Sequence, residues 1–181
     1  NRWPEGMLKD STGIANLGIE GQTSAQVLYR FRNYLDMATP SLVILEVGIN
    51  DLKIIGLDAD LAGSVTRQYY LNIEQMIQIC RGRDIRMILI SIFSVGKIEL
   101  PRMLIWNSAA GEAIREANLR LGSYCDSEMI YCFDANAVLT DNETTVKREY
   151  QDDFLHINTR GYEALSIRLQ ELIDKVNNQN Q

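Results

Sequence analysis

The chain alternates short runs that are apolar on both faces with longer stretches whose apolar residues recur at helical intervals. Leu42-Val43-Ile44-Leu45-Glu46-Val47 is the clearest short run. With no polar alternation, it reads as a central parallel strand covered on both sides. Ile85 to Val95 repeats the pattern, and Met129-Ile130-Tyr131-Cys132-Phe133 does so more briefly. Ile14-Ala15-Asn16-Leu17-Gly18-Ile19 reads as a short buried strand ahead of them. The intervening stretches carry helical stripes: Val27, Leu28, Phe31 and Leu35, then Val65, Tyr69, Ile73, Met76, Ile77 and Cys80. Ala110, Ile114, Ala117 and Leu121 form a third stripe; Tyr162, Leu165, Leu169, Leu172 and Val176 form the last. Local punctuation agrees. Thr23 with Gln26 is a capping-box pair, Pro40 and Gly82 stop helices, and Asn107 and Ser108 suit a helix start. Strands alternating with helices predict an α/β domain with a mostly parallel sheet and helices on both sides, in one unit over residues 1–181.

Composition narrows the partners. The 181 residues carry a net charge of −6, which argues against nucleic acid or an anionic membrane surface, since either calls for a basic patch. No apolar run reaches transmembrane length. Three cysteines, Cys80, Cys125 and Cys132, cannot all pair within one chain and have no metal-ligand spacing. Cys80 and Cys132 read as core residues, and Cys125 sits near a helix end. With a single histidine besides, no metal and no cofactor is expected. Asn1-Arg2-Trp3-Pro4 reads as the start of a fragment or a processed form, so localisation is not legible. Asn142-Glu143-Thr144 matches a glycosylation sequon, meaningful only in a eukaryotic secretory context.

The candidate chemistry centres on Asp152-Asp153-Phe154-Leu155-His156-Ile157-Asn158, which holds the lone histidine. His156 is the one side chain whose unperturbed pKa suits acid–base work near neutral pH. Asp153, three residues earlier, can hold the ring nitrogen that faces away from a substrate. In open parallel sheets, ligands bind beyond the carboxyl ends of the strands. Two more loops share that address. Gly21 lies at a strand-to-helix turn, where a backbone N–H can meet an anion; turn geometry alone would also call for it. Asn50, after the strand at 42–47, can offer its amide to a developing oxyanion, or can simply close an Asx turn. Asp51 reads as structural, fixing its loop through backbone N–H groups.

These residues resemble the SGNH (GDSL-type) hydrolases. Asn16-Leu17-Gly18-Ile19-Glu20-Gly21-Gln22-Thr23, Val47-Gly48-Ile49-Asn50-Asp51 and Asp153-Phe154-Leu155-His156 look like the second, third and fifth sequence blocks of that family, in order and spacing. Glu46 and Tyr162 also fall where similar residues often occur. The resemblance implies a serine hydrolase (esterase, lipase or other acylhydrolase) working on a small ester or acylated substrate through an acyl-serine intermediate. It implies Gly21 and Asn50 as oxyanion-hole donors, His156 as base and Asp153 as third member of the triad.

One block departs from the pattern. The Gly-Asp-Ser turn that carries the nucleophile in the family is not in the chain. Lys9-Asp10-Ser11-Thr12 comes nearest, but no strand precedes Ser11 and no room for a helix separates it from Gly21. Ser11 is therefore a poor candidate. In a flavodoxin-like strand order the first strand is central, so its absence would leave the strands at 14–19 and 42–47 with unpaired edges. The expectation is an upstream strand ending in a serine turn, without which residues 1–181 would be inactive. Two alternatives stay open: a carbohydrate O-acetyl esterase or O-acetyltransferase, with Lys97, Arg102 and Trp106 in the loop 96–107 as a sugar platform, and a non-catalytic binding module.

Overall fold

The computed structural model describes residues 3–4, 7–8, 13–98, 107–141 and 145–178. Ser11, Arg102, Trp106 and the sequon at 142–144 lie outside the described residues.

Helix α1 (Ser24–Ala38) opens at Thr23, whose N–H donates to Gln26 Oε1 at 2.9 Å. It ends at Thr39, which takes a left-handed conformation just before Pro40. Strand β1 (Leu42–Leu45) leads into the short helix α2 (Ile49–Leu52). Helix α3 (Ala62–Arg81) closes at Gly82 and is followed by strand β2 (Arg86–Ile90). Helix α4 (Ala109–Ser123) returns the chain to strand β3 (Ile130–Phe133). A four-residue helix α5 (Asn136–Leu139) and a two-stranded ribbon, β4 (Thr140–Asp141) with β5 (Thr145–Val146), precede the long helix α6 (Thr159–Asn178).

The main sheet is parallel, in the order β1-β2-β3, with Val43 opposite Met87 and Ile88 opposite Tyr131. Side chains alternate across it. Leu45, Met87, Leu89 and Ile130 pack under α1, α3 and α4 with Phe31, Tyr69, Met76 and Ala117. Ile88, Ile90, Tyr131 and Phe133 pack against α5 and α6 with Leu139, Leu165 and Leu169. Two apolar layers sandwich the strands, which is why these runs lack polar alternation. The three-layer α/β architecture and all four helical stripes are as the sequence predicts.

Two elements differ. Residues 14–19 are not a buried strand: they are irregular, and Ile14, Leu17 and Ile19 are 43%, 43% and 52% exposed. A strand exists by its ladder, and none of the described residues forms a backbone ladder with this stretch. The run from Ile85 also leaves the sheet after Ile90, earlier than its apolar character suggests. Side-chain amides take over from the ladder there. Asn118 bonds both Ile92 N and Ile92 O, and Asn136 Oδ1 accepts from Ser94 N.

The cysteine reading is corrected as well. Cys132 is exposed rather than core, and it is joined in a disulfide to Cys125 at the end of α4. Cys125 follows the C-cap of α4, and its Cα lies 5.8 Å from that of Cys132, within the span a disulfide bridges. Cys80 is buried as expected, and burial pushes its thiol up to about 12.

Candidate active site

The His156 turn is self-contained. Asp153 Oδ1 accepts from Leu155 N at 2.7 Å and from His156 N at 2.9 Å, so the carboxylate organises its own loop. The same carboxylate meets His156 Nδ1 at 2.8 and 2.9 Å through its two oxygens. An ionised carboxylate only accepts, so Nδ1 carries the proton and Nε2 keeps its lone pair for another partner. Burial alone would raise the Asp153 carboxyl. The hydrogen bonds from the His156 ring and the Leu155 amide outweigh it and hold the group below the usual carboxylate range. Asn158 then starts α6: its Oδ1 accepts from Gly161 N, and its own N–H reaches Tyr150 O.

The opposite wall is built from two loops sewn together, the Gly21 turn ahead of α1 and the turn that follows β1. Ser24, the first residue of α1, is fully buried and donates through N and Oγ to the Asp51 carboxylate, the shortest contact being 2.6 Å. Asn72 Nδ2 donates to Ser24 Oγ at 2.8 Å, and Gln68 Nε2 donates to Asn72 Oδ1 at 2.9 Å. Burial pushes the Asp51 carboxyl up, partly offset by these bonds. Asp51 thus ties the Gly21 turn to the Asn50 turn. Asn50 Nδ2 donates to Gln22 O at 3.1 Å, and its Oδ1 accepts from Lys53 Nζ at 2.8 Å. Gly21 has φ of +80°, a left-handed turn that glycine adopts without strain. Gly48, at φ of +133°, is more constrained still: a Cβ there would lie 2.5 Å from Ile92 Cδ1.

A groove of about 1290 Å³ brings these parts together; Gly21, Asn50, Lys53 and His156 all line it. It runs beside β1, with Ile14, Leu17 and Ile19 on the far lip. Ser41 O accepts from Arg86 N at 3.2 Å, so alternate residues of β1, Leu42 and Ile44, turn their backbone groups away from β2 toward the groove. Glu46 lines the same groove and is exposed to it.

All four predicted site residues therefore meet at one groove, three lining it and Asp153 behind His156. Lys97 does not line this groove; its backbone N–H and C=O are clamped by the Gln151 side chain. Sequence reading missed Lys53, Ser24 and Asn72. Lys53 had a signal, since it lies one helical turn beyond Asn50. Ser24 and Asn72 had none, being ordinary polar residues on helical stretches.

The fold and site define an α/β protein with a parallel sheet and a groove lined by His156, held by the Asp153 carboxylate, and by the Gly21 and Asn50 turns. A model of the GDSL-like lipase/acylhydrolase family matches residues 1–164, and the chain belongs to that family. Among solved structures, the chain is similar to a GDSL-like lipase from Bacteroides thetaiotaomicron, with 24% identity over 87% of this chain and 74% of that one, at a TM-score of 0.70. It is also similar to a member of the lipolytic G-D-S-L family from Veillonella parvula, with 18% identity over 91% and 84% of the two chains and a TM-score of 0.68. A third similar structure is a catalytic mutant of an acetylxylan esterase from Geobacillus stearothermophilus, with 17% identity over 88% and 71% and a TM-score of 0.61. No curated protein matches the chain. Membership supports ester hydrolysis as the family's activity. Among the described residues, no helix is long and apolar enough to cross a membrane.

Proposed function

We propose that the protein is a serine hydrolase of carboxylic esters in which His156 is the general base and Asp153 its orienting partner. The observation that carries this reading is the Asp153–His156 contact at 2.8 Å, opening on the groove that Gly21 and Asn50 also line. His156 Nε2 takes the proton as a serine hydroxyl attacks the ester carbonyl, and Asp153 stabilises the imidazolium. The Gly21 N–H and the Asn50 amide receive the oxyanion as it forms. His156 then returns its proton to the departing alcohol, leaving an acyl-serine that water hydrolyses by the same relay in reverse.

The serine belongs to a strand upstream of this sequence, seated in the groove between residues 14–19 and β1. The outward-turned backbone groups of Leu42 and Ile44 support that placement, because a parallel neighbour would satisfy them. On this reading residues 1–181 alone hydrolyse esters negligibly.

The test is hydrolysis of short-chain aryl esters by the full-length protein and by His156→Ala. The variant should lose at least about 10³-fold in kcat; equal rates would remove His156 from the mechanism. Acetylated xylan belongs in the same panel, because the similar structures include acetylxylan esterases.

A further inference from the structure

We propose that Lys53 is a positioning residue for Asn50, locking and polarising the amide that faces the oxyanion. The inference rests on the oxyanion role given to Asn50 above. Lys53 Nζ donates to Asn50 Oδ1 at 2.8 Å, while Asn50 Nδ2 donates to Gln22 O at 3.1 Å. An ammonium can only donate and a backbone carbonyl can only accept. The amide therefore has one permitted orientation, and turning it over would set donor against donor and acceptor against acceptor. Of the two Nδ2 hydrogens, Gln22 takes one. The other remains for a ligand in the groove that Asn50 and Lys53 both line.

The charge adds to the geometry. Among the described residues no carboxylate forms an ion pair with Lys53, and its ammonium donates to Asn50 Oδ1. A charge-assisted bond into the amide oxygen draws electron density from the amide nitrogen and strengthens Nδ2–H as a donor. That gain grows as the ester oxygen becomes negative, so it favours the transition state over the bound ester. Lys53 comes into reach because residues 49–52 are helical and the turn continues through 53–56, which puts position 53 on the same side as position 50.

The experiment compares K53M, K53Q, N50A and the double variant N50A/K53M in the full-length protein, measuring kcat and KM on a short-chain aryl ester. K53M keeps the aliphatic stem without donor or charge; K53Q keeps a neutral donor. K53M is expected to lower kcat by about tenfold or more, less than the ~10²–10³ expected for N50A, with KM within about twofold. K53Q should fall between K53M and the parent. In the N50A background K53M should cost nothing further, because its effect passes through the missing amide. A residue that merely stabilised the loop would slow both backgrounds alike. A slow N50A beside a K53M of parental kcat overturns the inference alone, as do losses that multiply independently in the double variant. An N50A as fast as the parent overturns the oxyanion role of Asn50 and this inference with it. Should K53M fail to fold, K53Q and N50A/K53Q read the same coupling.

Discussion

Replacing Asp51 by asparagine probes the joint that holds one wall of the site together. The Asp51 carboxylate accepts from Ser24 N at 2.9 and 3.1 Å and from Ser24 Oγ at 2.6 Å. Ser24 is wholly buried, and its Oγ already accepts from Asn72 Nδ2. An asparagine at 51 keeps one oxygen and puts an NH₂ in the place of the other. If the oxygen takes the Oδ2 place, it serves the Ser24 N–H, and the NH₂ faces Ser24 Oγ, which can accept a second bond but is left with a buried O–H that has no acceptor. If the oxygen takes the Oδ1 place, it still meets both Ser24 donors, but the NH₂ then stands where an acceptor lay 2.9 Å from the Ser24 N–H, donor against donor. Either way a buried donor is stranded or opposed by another donor, at about 1–3 kcal/mol. At this chain length that corresponds to a fall of roughly 2–12 °C in Tm. Asp51→Ala strands both donors and should fall further. The assay is a urea titration with a thermal melt, followed by ester hydrolysis at a temperature where every variant is folded. The Asn50 amide and the Gly21 turn hang from this joint, so the variant should lose kcat even when folded. A urea midpoint equal to the parent's would refute the reasoning, because it would mean that Ser24 finds another acceptor.

Three further outcomes follow from the structure. Gly48→Ala places a Cβ 2.5 Å from Ile92 Cδ1 and 2.9 Å from Tyr69 Cε2 at a φ of +133°, so a loss of about 2–5 kcal/mol is expected on chemical denaturation. Removing the Cys125–Cys132 disulfide by Cys125→Ser with Cys132→Ser, or by reduction, opens a short loop in the unfolded chain. The expected loss is about 2–3 kcal/mol, read as a lower Tm that reductant no longer changes in the double variant. Asp153 has a folded-state pKa below its unfolded value, so the stability it contributes is present above the ordinary carboxylate range and is lost as pH falls through the lower folded value. In Asp153→Asn, stability plotted against pH should therefore be shallower across that acidic window, and kcat at neutral pH should drop steeply with the loss of the oriented tautomer.

The legible parts of this protein are those decided by apolar periodicity. Leu42–Leu45 and Ile130–Phe133 announce themselves as strands because helices pack on both faces of the sheet, and the stripes of α1, α3, α4 and α6 announce what packs there. The His156 turn is equally legible, since its geometry is made within four residues by one carboxylate. Residues 14–19 misled because an apolar run encodes a preference for burial, whereas a strand also needs a neighbour, and none of the described residues supplies one. Cys132 misled for a related reason: its place in an apolar run does not say whether other elements cover it. The disulfide depends on where α4 ends relative to β3, a tertiary fact.

The two walls of the groove are held in physically different ways, and this bears on how the site responds to change. The His156 side draws its geometry from local hydrogen bonds at a half-exposed turn, with Asp153 and His156 side chains 39% and 37% accessible. The Asn50 side is anchored through Asp51, Ser24, Asn72 and Gln68 into the packing of α1 against α3, so its geometry is tied to the core. Substitutions in the first wall should alter rate with little change in stability; substitutions in the second should alter both together. The Lys53–Asn50 contact lies between these cases: it touches the anchored loop but adds no buried donor to the network. Its loss should therefore appear in kcat before it appears in Tm, and that ordering separates a residue acting on the oxyanion donor from one that only props the loop.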